Sequence, residues 1–145
     1  MSSPTTVSWL TREFMTKDIS FWYTRKVKGK MDDLVNRISF ALNEEGFSLL
    51  TKIDLQEKIK DRLWKDIGKY VILWACNPTL AYEALPHNIN IGLFLPCSIV
   101  IYKDNWDKYV SIIKPSSFWK IIESDEIERI TELADQKLKR VIDNI

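Results

Sequence analysis

Six consecutive apolar residues, Tyr70-Val71-Ile72-Leu73-Trp74-Ala75, stop abruptly at Cys76-Asn77-Pro78. A run of this length suits a strand covered on both faces better than a helix, so residues 70–75 are expected to form a central strand. Asn77 is a favoured helix N-cap and Pro78 a favoured first helical residue. A short helix over 78–85 is therefore predicted, with Leu80, Ala81 and Ala84 turned inward and Pro86 ending it. Cys76 stands where strand gives way to helix.

Upstream, residues 47–53 read as a returning strand, and Asp54 followed by Glu57 is a capping-box-like start to a helix carrying Leu55, Ile59 and Leu63. Met31, Leu34, Val35, Ile38, Ala41 and Leu42 recur at helical spacing, with Gly46 where a left-handed C-terminal cap belongs. Residues 19–28 alternate in the manner of a half-buried strand. Downstream, 91–95 read as a short extended piece, 97–102 as a strand, Asn105 as a turn residue and 109–113 as the partner strand of a hairpin. Ser124 caps a last helix whose Ile127, Ile130, Leu133, Ala134, Leu138, Val141 and Ile142 share one face. The expected architecture is α+β, a mixed β-sheet covered by helices in one compact domain over 19–145. Residues 1–18, with Val7, Trp9, Leu10, Phe14 and Met15 in no clean period, read as an N-terminal extension, either a mobile tail or a short docking helix with Leu10 and Phe14 on one face.

The chain has 145 residues, 46% of them hydrophobic, enough for one domain with a real core. Lys and Arg number 21 against 20 acidic residues, so the net charge of +1 gives no general pull toward nucleic acid or anionic surfaces. Nucleic acid is accordingly not an expected partner. Two cysteines are too few for a disulfide scaffold. With no secretory leader pattern and no apolar run near 20 residues, the reading is a cytoplasmic protein without a membrane span.

Cys76-Asn77-Pro78 with Leu80 and Ala81, then Gly92-Leu93-Phe94-Leu95-Pro96-Cys97 leading into Ile99-Val100-Ile101-Tyr102, form two cysteine motifs in sequence. Together with Glu44-Glu45-Gly46-Phe47 and the stretch Thr51, Ile53, Asp54, they make the chain resemble the domain of unknown function 302 family, over roughly residues 20–142. That resemblance implies a compact α+β fold, a homodimer, and no settled biochemical activity. The N-terminal extension and the basic Arg25-Lys26-Val27-Lys28-Gly29-Lys30 depart from the family pattern.

Cys76, just before a predicted helix start, is placed where unpaired N–H groups lower a thiol's pKa. Cys97, at the head of a strand, would lie beside it if the two strands are neighbours, giving a dithiol for redox work, sulfur transfer or metal binding. The competing reading makes both cysteines small buried hydrophobes. His87 is the sole histidine, and without close CxxC or HxxxH spacing no metal site is assigned. No Gly-rich phosphate loop and no GxSxG elbow are present, which removes the usual nucleotide and serine hydrolases and leaves only Cys76 with His87 as a weak hydrolase pair. No cofactor is identifiable. Lys26, Lys28 and Lys30, beside Phe21, Trp22 and Tyr23, are candidate phosphate contacts, or else lysines guarding a sheet edge. The functional expectation is a module that binds a small molecule or a sulfur species in a pocket near Cys76 and Cys97, with Asn77 capping the helix. The alternative is a non-catalytic protein or nucleic-acid interaction module whose cysteines are structural.

Overall fold

Helices and strands follow one another largely as the apolar periods dictate. The computed structural model describes residues 21–118 and 122–145, so the N-terminal extension of 1–18 lies outside the described residues. In chain order come β1 (Trp22–Val27), α1 (Met31–Glu44), β2 (Ser48–Asp54), α2 (Leu55–Leu63), β3 (Tyr70–Cys76) and α3 (Pro78–Ala84). A 3-10 helix (Ile89–Phe94), β4 (Cys97–Asp104), β5 (Asp107–Ile113), a second 3-10 helix (Pro115–Phe118) and α4 (Asp125–Asp143) complete the described chain.

The five strands form one sheet in the order β1-β5-β4-β3-β2, and every ladder is antiparallel. The expected mixture of strand directions is therefore corrected. α1 carries the chain from β1 to the far edge of the sheet, so β1 and β2, which run the same way, are not neighbours. β4 is the middle strand, and β3 lies beside it rather than at the centre. Nor is β3 covered on both faces. Val71, Leu73 and Ala75 are buried, while Tyr70 and Ile72 are half-buried and Trp74 is 40% exposed. An unbroken apolar run hid an alternation whose second face merely happens to be apolar too.

α1 and α4 cover one face of the sheet. Leu34, Ile38 and Leu42 from α1 and Leu138, Val141 and Ile142 from α4 meet Leu73, Ile99, Ile101, Val110 and Ile112 in the main core. A smaller cluster gathers Leu80, Ala84 and Ile91 against Ile127, Ile130 and Ala134 of α4. On the uncovered face Tyr70, Tyr102 and Tyr109 stack across three strands at centroid distances of 5.7 and 5.6 Å.

Local signals explain most boundaries. The Asp54 carboxylate accepts from Glu57 N–H at 3.0 Å and opens α2. Gly46, at φ +82°, ends α1 with a pair of returning bonds, Gly46 N–H to Asn43 O at 3.1 Å and Phe47 N–H to Leu42 O at 2.9 Å. Phe47 is thereby delivered into the core. Residues 91–95 belong mainly to a 3-10 helix, not an extended piece, because Asn88 Oδ1 accepts from Asn90 N–H at 2.9 Å and closes the first turn.

Candidate functional site

Asn77 joins three parts of the chain. Its Oδ1 accepts from Leu80 N–H at 3.2 Å, capping α3, while its Nδ2 donates to Glu45 O at 3.4 Å. The side chain is 8% exposed, and a Cβ placed on Gly46 would stand 3.3 Å from its Nδ2. The Glu45-Gly46-Phe47 corner and the Cys76-Asn77-Pro78 corner, separate in sequence, are thus one packed unit.

Directly behind this unit is a cavity of about 50 Å³ that opens to solvent. Phe47, Cys76 and Cys97 form its sheet side, Leu80 and Ala84 come from α3, Ile91 and Phe94 from the first 3-10 helix, and Ile127, Ile130, Thr131 and Ala134 from α4. None of the lining residues is charged. Thr131 Oγ1 is occupied by Glu128 O of its own helix at 3.0 Å, and Asn77 is occupied as described. The remaining wall is apolar carbon and thiol sulfur, which favours a ligand that brings few polar groups of its own.

The expected sites divide. Cys76, Asn77 and Cys97 line this one cavity, but the thiols do not form a pair. The residue opposite Cys97 in the β3–β4 ladder is Ala75, not Cys76, and both cysteines are free. Nor is either thiol activated. Burial pushes Cys76 upward, and burial, then the nearby Cys76 and Asp135, push Cys97 up to about 12. Desolvation overrides the helix end here because Asn77 already occupies the Leu80 N–H. His87 is exposed on its loop, and no three His, Cys, Asp or Glu residues gather in metal-binding geometry among the described residues.

Lys26, Lys28 and Lys30 fall outside the cavity. Lys26 lies on the edge strand β1 and pairs with Asp107 at 3.3 Å. Arg25 Nη1 donates to Ile142 O at 2.8 Å, tying the strand to the end of α4. What sequence reasoning missed is the α4 wall. Thr131 and Ala134 stand among larger aliphatic residues on the inward face of α4, and their small size leaves the space; the clue was legible but resembled ordinary helix patterning.

The sequence profile of the family described as "Domain of unknown function DUF302" matches residues 23–145. The chain belongs to this family. A solved DUF302 structure, the uncharacterized conserved protein from Bacillus stearothermophilus, is 28% identical and superimposes with a TM-score of 0.81, covering 87% of this chain and 98% of that one. No curated protein matches the chain. The DUF302 relationship thus accounts for the fold and says nothing of a ligand.

Proposed function

We propose that the protein is a small-molecule-binding module whose site is the cavity between α3, the first 3-10 helix and α4. The observation that carries this reading is the uncharged, largely apolar lining of a cavity open to solvent, with its polar side chains already satisfied. The favoured ligand is neutral and largely apolar. Cys76 and Cys97 serve it as soft, protonated contacts, so sulfur transfer by a thiolate is the less supported form of the same reading. Two free cysteines agree with work in a reducing, cytoplasmic setting.

The test is titration with a neutral naphthylamine fluorophore. Saturable one-site binding is expected, lost in Ala134→Phe, which fills the α4 side of the cavity, and in Ala81→Phe, which fills its half-exposed rim. Equal binding by both variants, with the fold confirmed by circular dichroism, would remove the cavity from the account.

We also propose that the chain acts as a homodimer through the uncovered face of the sheet. Ile72, Trp74, Ser98, Val100 and Ser111 form an uncharged patch there, with Trp74 at its most exposed point. Two copies related by a twofold axis would oppose no like charges across it. Sedimentation equilibrium is expected to give twice the chain mass for the wild type and the single mass for Trp74→Arg. A wild type of single mass would end this reading.

A further inference from the structure

We propose that the end of the sheet bearing Trp64 and Trp106 docks onto an anionic membrane surface. Trp64 is 90% exposed and Trp106 is 91% exposed. Side chains so open contribute almost nothing to the core, and apolar side chains gathered at one end of a fold mark an interaction surface. Trp64 also holds a left-handed backbone at φ +58°, the C-cap position of α2, where glycine or asparagine is favoured. A bulky residue kept in that conformation while facing solvent is an outlier that suggests a role other than stability.

Both indoles belong to loops at one end of the sheet. Trp106 occupies the two-residue turn between β4 and β5, where Asp104 faces Asp107. The loop carrying Trp64 leads into β3 at Tyr70, which faces Tyr102, and Lys69 O accepts from Lys103 N–H at 3.1 Å. β1 ends at the same place, Val27 facing Lys108.

The charge at this end complements an anionic surface. Lys28, Lys69, Lys103 and Lys108 cluster at these strand ends, and none enters an ion pair among the described residues. The neighbouring acids are mostly engaged. Asp107 is paired with Lys26, and Asp66 accepts from Gln56 and Gly68 and pairs with Lys60; Asp104 is withdrawn from the surface, buried with its Oδ1 unpartnered. Indole rings settle at the headgroup level of a bilayer, and lysines beside them gain from anionic lipid. A protruding turn suits insertion into that layer better than stacking in a nucleic-acid groove. No described helix is long and apolar enough to cross a membrane, so the contact is a surface one.

The test is co-sedimentation of the full chain with vesicles of phosphatidylcholine alone or with added phosphatidylserine. Expected are binding to the phosphatidylserine vesicles that weakens with salt, and a loss of about tenfold or more in Trp64→Ser/Trp106→Ser. Lys103→Glu/Lys108→Glu should also lose binding. Tyr82→Ser, an exposed aromatic on α3 (80%), should leave it unchanged. Thermal melts confirm that the variants fold. Failure of the wild type to sediment with either vesicle would overturn the proposal. So would undiminished binding by the double tryptophan variant, or binding of single-stranded oligonucleotide in place of vesicles.

Discussion

Above pH 9 the fold is expected to lose stability, and Cys97→Ala is expected to flatten that loss. Cys97 is 7% exposed, and its thiol is pushed from 9.0 to about 12 in the folded chain. The folded state therefore keeps a proton that the unfolded chain gives up first. This advantage is fully present below the unfolded value and is lost as pH rises through the window from 9 to about 12. Each pH unit across that window is worth about 1.4 kcal/mol, so the deficit reaches roughly 4 kcal/mol at its upper end. Tyr23, Tyr70 and Tyr109 are raised as well, each chiefly by burial, and they add loss of the same sign. They are present in both proteins, so the difference between wild type and Cys97→Ala isolates the thiol. Denaturant unfolding at pH 8 and pH 10.5 measures it. Parallel slopes in the two proteins would mean that Cys97 is not held as a buried neutral thiol.

Asn77→Ala is expected to cost about 2–3 kcal/mol, combining a lost helix cap of about 1 kcal/mol with the unpaired, partly buried Glu45 carbonyl. Asn77→Asp, which keeps the acceptor for Leu80 N–H but loses the donor to Glu45 O, should recover about half of that loss. Urea unfolding of the three proteins decides the matter. A wild-type midpoint in Asn77→Ala would refute the joining role and return Asn77 to the ligand.

The particular residues show why some of this was legible in the sequence. Asp54 with Glu57, Asn77 with Pro78, and Ser124 before Asp125 each open a helix where local side-chain chemistry says they should. Gly46 closes one for the same reason. Such signals act within a few residues, and one sequence is enough to read them. The direction of the strands was not local. Whether α1 returns β2 beside β1 or carries it to the far edge depends on the whole sheet, and an all-antiparallel order was invisible in any single segment. Likewise Ile72 and Trp74 looked like core because apolar character does not reveal which face of a strand has a helix over it.

The candidate site divides along the same line. Cys76, Asn77 and Cys97 line one cavity, but Cys97 faces Ala75 across the β3–β4 ladder, so the expected dithiol did not follow from the strand order. Their chemistry was not readable, because helix-end geometry argued for an activated thiol while the apolar surroundings, known only in three dimensions, push both thiols upward. The α4 wall was missed because Thr131 and Ala134 matter through the space they leave.

The most direct examination of the cavity is a methyl NMR titration with a neutral apolar probe such as the naphthylamine. Expected are saturable shifts confined to the methyl groups of Ala84, Ile91, Ile127, Ile130 and Ala134, with Ile72 and Val100 on the uncovered face unmoved. Shifts absent at saturation of the fluorescence signal, or centred on Ile72 and Val100, would contradict a ligand site between α3 and α4.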